Sequence, residues 1–151
     1  MFNWLISLFR PKRPEHPKFY GEIKNTELKE ILRTTCNTNL IFLSDMDYKL
    51  TSKEEIERFL FSDRTDGYVY RKEYYNCDDF SFRLMGNLSI PGWAELAFGI
   101  AWSFKHAFNI FLDKDKKVWI IEPQNDRISP IESVKRSDTS GMYYPVRMVI
   151  M

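Results

Sequence analysis

Cys77 stands in the run Tyr74-Tyr75-Asn76-Cys77-Asp78-Asp79-Phe80, followed by a helical spacing in which Phe80, Leu84 and Met85 share a side. This pattern puts Cys77 at the start of a helix. There the unpaired backbone N–H groups and the positive end of the helix dipole favour a thiolate. Such a thiolate acts as a nucleophile when a histidine takes its proton and a further polar group orients the imidazole. The chain has two histidines, and His106 opens a strand pattern.

The elements that must bring these groups together follow from His106. His106 to Leu112 reads as a strand, Asp113 to Lys117 as a charged turn, and Val118 to Glu122 as a second strand, so the three form a β-hairpin. Closed by a three-residue loop, the hairpin sets His106 opposite Glu122 or Gln124. Period-two alternation then places all three on one face. Cross-strand Cβ atoms on one face lie roughly 5 Å apart, within reach of an imidazole–carboxylate hydrogen bond. A two- or four-residue loop puts Glu122 on the opposite face.

In the three-residue arrangement Cys77 is the nucleophile, His106 the general base and Glu122 the group that fixes the tautomer and stabilises the imidazolium. Asn76, Asp78 and Gln124 are candidates for substrate or oxyanion support beside the N–H groups of the helix start. Asp78 and Asp79 oppose this chemistry, because negative charge beside the sulfur disfavours its thiolate. Acids in a first helical turn also have an ordinary use, stabilising the helix dipole. The plainer alternatives are a cysteine buried among aromatics as a small hydrophobe and a histidine that is structural at a strand start.

The rest of the chain reads as supporting elements. Residues 11–17 carry three prolines and mixed charge, the mark of an extended linker. Thr26 to Arg33 predicts a helix with Leu28, Ile31 and Leu32 inward, ended near Asn37 and Asn39. Leu40 to Leu43 reads as a strand and Ser44 to Asp47 as a turn. Ser52 and Glu55 form a capping box ahead of a helix carrying Ile56, Phe59 and Leu60 inward. Gly86-Asn87-Leu88 reads as a helix stop. The apolar run from Leu96 to Ser103 favours a strand, and Tyr143 to Met151 reads as a terminal one. Tyr68, Tyr70, Tyr74 and Tyr75 line a cleft or cover core.

Composition bounds the remainder. The 151 residues are 44% hydrophobic and 16% aromatic, enough for one sizeable core, with residues 1–17 as an arm and linker and 18–151 as a single domain. Net charge is +1, and no basic field argues for nucleic acid. Cys36 and Cys77 make neither a disulfide framework nor a zinc spacing, so reduced thiols in a cytoplasmic setting are expected. No apolar run approaches the roughly 20 residues of a membrane span, and no signal peptide is read. The apolar arm Met1 to Phe9 is suited to packing on the domain, on a partner or on a membrane surface. No metal site is legible.

Asn76-Cys77-Asp78-Asp79-Phe80, His106-Ala107-Phe108-Asn109-Ile110 and Ile121-Glu122-Pro123-Gln124-Asn125-Asp126 together resemble a pattern in papain-like cysteine hydrolases. The match is to the protease-like C-terminal domain of a fungal agglutinin and its bacterial and phage relatives, over about a third of the chain. The resemblance implies a papain-like α+β fold, a Cys-His-Glu triad at Cys77, His106 and Glu122, and a calcium requirement. The sequence departs from it at Trp102-Ser103-Phe104-Lys105, where a glycine-rich approach is expected, and at Arg71, Lys72 and Glu73, where an oxyanion glutamine is expected. The leading expectation is therefore a thiol hydrolase, a peptidase or amidase, acting on a peptide or protein substrate through an acyl-enzyme. Two rivals use the same scaffold. One is a non-catalytic structural or binding protein, such as a virion-associated phage component, to which the apolar arm and the tyrosines are suited. The other is a transglutaminase-like acyl transferase.

Overall fold

A computed structural model describes residues 12–151; the arm Met1 to Phe9 lies outside them. The described elements are β1 (Gly21–Lys24), α1 (Asn25–Cys36), β2 (Ile41–Phe42), β3 (Asp47–Leu50), α2 (Lys53–Ser62) and a short 3-10 turn (Thr65–Gly67). They continue with α3 (Cys77–Leu88), β4 (Phe98–Trp102), β5 (Ala107–Leu112), β6 (Val118–Glu122), β7 (Arg127–Pro130), α4 (Ile131–Ser137) and β8 (Met148–Ile150). The class is α+β. A six-stranded sheet runs in the order β2-β8-β4-β5-β6-β7, and β1 and β3 form a separate two-stranded pair. Only β2 and β8 run parallel; the other pairings are antiparallel.

Helices cover both faces of the large sheet, which is why β5 is buried along its whole length and reads as a continuous apolar run. Its alternation divides the core. Phe108, Ile110 and Leu112 pack with Leu28 and Leu32 of α1, while Phe111 packs with Ile56, Phe59 and Leu60 of α2 and Leu84 and Leu88 of α3. The sequence signals for these helices act locally as expected. Ser52 Oγ accepts the Glu55 N–H at 3.3 Å at the start of α2. Asn37, left-handed at φ 55°, terminates α1.

Two regions differ from the sequence reading. The terminal strand is only β8, because residues 138–144 are drawn into a loop around Asp138. The proline-bearing residues 13–17 bend at Glu15 and His16 and are anchored: Arg13 Nη1 donates to the Asn87 carbonyl at 3.0 Å, Trp93 Nε1 donates to the Pro14 carbonyl at 3.0 Å, and Pro17 is buried. Among the described residues no helix is long and apolar enough to cross a membrane.

Gly99 allows a close approach of β8 to β4. A Cβ there would lie 2.0 Å from the Ile150 carbonyl oxygen and 2.6 Å from Met151 Cγ, so a side chain pushes β8 off β4. Gly99→Ala is expected to cost about 3 kcal/mol, the upper end of an overpacking change. The matching fall in melting temperature, read by circular dichroism, is about 6–12 °C for a domain of this size. An unchanged melt would place β8 elsewhere.

Candidate functional site

Cys77 is the first residue of α3. Asn76 caps the helix: its Oδ1 accepts the Asp78 N–H at 3.3 Å, and the Asp79 carboxylate reaches back to accept the Asn76 N–H at 2.9 Å. Asp79 is thus committed to the cap. One turn on, Ser81 Oγ donates to the Cys77 carbonyl at 2.9 Å, and the Ser81 carbonyl accepts Asn109 Nδ2 from β5 at 3.1 Å. Asn109, fully buried, donates also to the Gly99 carbonyl at 3.2 Å, tying α3 to β4 and β5 together. The Cys77 side chain is partly exposed and free.

The hairpin of β5 and β6 closes with a three-residue loop. Leu112 pairs with Val118, the Asp113 N–H donates to the Lys117 carbonyl at 3.0 Å, and Lys116 takes the left-handed conformation at φ 58° that such a loop needs. Asp113 secures the turn by accepting the Asp115 and Lys117 N–H groups, both at 2.9 Å. With that register His106 Nε2 lies 2.6 Å from Glu122 Oε2, and both residues are about 6–7% exposed. The Ser103 hydroxyl accepts the His106 N–H at 3.0 Å and fixes the strand start.

Sequence reasoning missed two members of this cluster. Tyr143 Oη donates to Glu122 Oε2 at 2.8 Å, and the Tyr143 ring stands edge-on to His106. Asp138 holds the loop that delivers Tyr143, accepting N–H groups of Met142, Tyr143 and Tyr144 and the Ser140 hydroxyl. The nearest signal was the polar stretch Asp138-Thr139-Ser140-Gly141, a side-chain-to-backbone turn in composition. Burial pushes the Glu122 carboxyl up, but the His106 ring, the Tyr143 hydroxyl and the Gln124 N–H outweigh it and hold it below the usual carboxylate range. Burial and Glu122 together push the Tyr143 phenol up to about 12. Asp138 is held well below its ordinary value, its N–H and hydroxyl donors outweighing burial.

The six sequence-selected residues fall into two groups. His106 and Glu122 are in direct contact and buried. Asn76, Cys77, Asp78 and Gln124 are partly exposed; Asn76 serves the helix cap, and Gln124 donates its N–H toward Glu122 Oε1 at 3.4 Å. Among the described residues no hydrogen bond joins the Cys77 thiol to His106, and no group of three or more His, Cys, Asp or Glu is placed to hold a metal ion. The calcium implied by the resemblance therefore finds no such cluster here.

No family model matches the chain, and no curated protein matches it. Solved structures do share its fold. One is a PSL1a–E64 complex, with a TM-score of 0.68 at 18% identity over 86% of this chain and 51% of that one. Another is Polyporus squamosus lectin bound to the human-type influenza-binding epitope Neu5Aca2-6Galb1-4GlcNAc, with a TM-score of 0.68 at 19% identity over 86% and 49%. The chain thus spans about half the length of these neighbours, and at this identity the likeness establishes the fold.

The comparison corrects the sequence reading. One of these neighbours is a lectin, and the epitope bound in that structure is a glycan and not a peptide. Membership of the papain-like cysteine hydrolases, thiol-hydrolase activity, a catalytic triad of Cys77, His106 and Glu122, and a peptide or protein substrate are accordingly withdrawn.

Proposed function

We propose that this chain is a non-catalytic binding protein whose ligand is a glycan. The layout that carries it is papain-like in outline, with the helix bearing Cys77 packed on an antiparallel sheet. In this reading Asn76, Asp78 and Gln124 offer partly exposed polar groups to ligand hydroxyls. Asn76 and Asp79 hold the start of α3, His106 and Glu122 brace the hairpin, and Cys77 turns nothing over.

The observation that carries the proposal is a band of exposed aromatic rings across α3. Tyr68, Tyr70 and Tyr74 stand at one end, with Tyr74 86% exposed; Phe82 stands on the helix at 55% and Phe104 beyond it at 72%. Contacts gather its rings into two groups. The Tyr68 ring meets Tyr75 at 5.4 Å, the Arg83 guanidinium lies 4.4 Å over Tyr68, and Phe82 meets Trp102 at 5.8 Å. Solvent-facing rings of this number form a binding surface rather than scattered exposure. Flat rings beside amide and carboxylate groups suit sugars, which present an apolar C–H face and a rim of hydroxyls. The lectin structure that shares the fold, which holds a glycan epitope, supports the same ligand class. A virion-associated placement suits a protein that meets surface glycans better than the cytoplasmic one.

The test is retention of the purified chain on a panel of immobilised glycans. Retention by a subset of them is expected, and Tyr74→Ala is expected to weaken it about tenfold, roughly the 1.4 kcal/mol of one lost aromatic contact. A panel with no retained member overturns the proposal.

A further inference from the structure

The far end of the aromatic band opens on a cleft of about 190 Å³ lined by Leu40, Trp102, Ser103, Arg147 and Met148. Its walls are mainly apolar, and its polar groups are largely committed. Ser103 Oγ donates to the Met142 carbonyl at 2.6 Å and accepts the N–H groups of Lys105 and His106, both at 3.0 Å. The backbone of Arg147 is likewise engaged: its N–H donates to the Trp102 carbonyl at 2.6 Å and its carbonyl accepts the Thr38 hydroxyl at 2.6 Å.

The Arg147 guanidinium is the exception. It stacks 4.7 Å over the exposed Phe104 ring, and among the described residues no carboxylate forms an ion pair with it. An exposed arginine normally gains little from a surface ion pair. Seated over a ring and held at its backbone, however, this one has less freedom to lose on binding. The neighbouring cation, Lys105, is turned to the Ser140 carbonyl and adds positive charge without neutralising it.

We infer that this cleft takes an acidic sugar, with the sugar carboxylate on the Arg147 guanidinium and its apolar face against Trp102. The inference rests on the glycan-binding reading and adds to it the ligand's charge and the end of the band at which it seats. A cleft of this volume holds about one sugar ring, and the bidentate fork of arginine is matched to a carboxylate. Phosphate- or sulfate-bearing ligands share the charge but not the flat carboxylate geometry.

The experiment compares retention of carboxylated glycans with that of the same glycans converted to methyl esters, for wild type, Arg147→Gln and Arg147→Lys. The wild type is expected to prefer the acid over the ester by about tenfold, in the range of one charge-assisted hydrogen-bonded pair. Arg147→Gln is expected to bring that ratio to about one, and Arg147→Lys to restore it in part, since lysine supplies the charge without the fork. The wild-type preference is expected to shrink with added salt. Acid and ester held equally by the wild type, or a preference that survives Arg147→Gln, overturns this inference and leaves the glycan reading standing. Retention of neither form of any glycan overturns both.

Discussion

Trp93→Ala is expected to cost about 4 kcal/mol, the usual scale for emptying a large buried aromatic site. Trp93 is fully buried and lies in the core between α2, α3 and the sheet; its ring meets Phe59 at 4.7 Å between centroids. The side chain also does a second job. Its Nε1–H donates to the Pro14 carbonyl, so the indole fastens residues 13–17 to the body of the domain. Removing it therefore empties a cavity beneath α2 and α3 and releases the strap together. A domain of this size has about 5–15 kcal/mol in total, so the loss is a large fraction of its stability. The melting temperature is expected to fall by about 8–16 °C. Trp93→Phe keeps most of the volume and loses the hydrogen bond, and so is expected to fall between the two. Proteolysis near residues 13–17, followed by mass spectrometry, separates the effects: faster cleavage is expected in both variants. A melt within 2 °C of wild type for Trp93→Ala, roughly half a kcal/mol, would contradict this packing.

Glu122→Ala is expected to cost about 3 kcal/mol, because a buried donor, His106 Nε2–H, and a half-buried one, Tyr143 Oη–H, lose their common acceptor. Glu122→Gln keeps the shape and one acceptor oxygen and is expected to cost about half as much. The pH dependence carries a definite sign. The folded state holds the Glu122 carboxyl below its usual range, so its contribution is present above the unfolded value of about 4.3 and is lost as pH falls through the lower folded value. Asp138, held down by its loop donors, adds in the same direction. Denaturant melts of wild type and Glu122→Gln are therefore expected to differ most near neutral pH and to converge in acid. A gap that widens as pH falls would contradict the assignment. A double-mutant cycle with Tyr143→Phe is expected to give a coupling of about 1 kcal/mol, since the two side chains share one hydrogen bond.

The contact between His106 and Glu122 was legible on condition of a three-residue loop, because everything else that sets it is local. The structure supplies that loop, Lys116 accepts the left-handed conformation in it, and period-two alternation does the rest. Helix α2 was legible for the same reason: Ser52 and Glu55 mark its start and Ile56, Phe59 and Leu60 its buried face. The pair β1 and β3 was not. Each strand has four residues, only Ile23, Tyr48 and Leu50 of them turn inward, and their pairing joins segments separated by α1. Tyr143 was read as strand, because nothing within its own segment reveals that Asp138 gathers the loop and delivers the phenol to Glu122. Function was misread for a different physical reason. Cysteine, histidine and glutamate suit a nucleophilic site and a structural cluster equally well as residue types. Spacing brought two of them together without saying which use they serve. The exposed rings of Phe82 and Phe104 carried the stronger message, and sequence alone gives no exposure.

Calorimetric titration of the intact chain with the best-retained glycan tests the binding account most directly, run in parallel for wild type, Phe82→Ala and Cys77→Ser. The expected result is saturable heat at one ligand per chain for wild type, a marked loss of affinity for Phe82→Ala, and unchanged affinity for Cys77→Ser. Saturable heat that survives Phe82→Ala but disappears with Cys77→Ser, or no saturable heat with any glycan, would contradict a binding protein that works through its aromatic band.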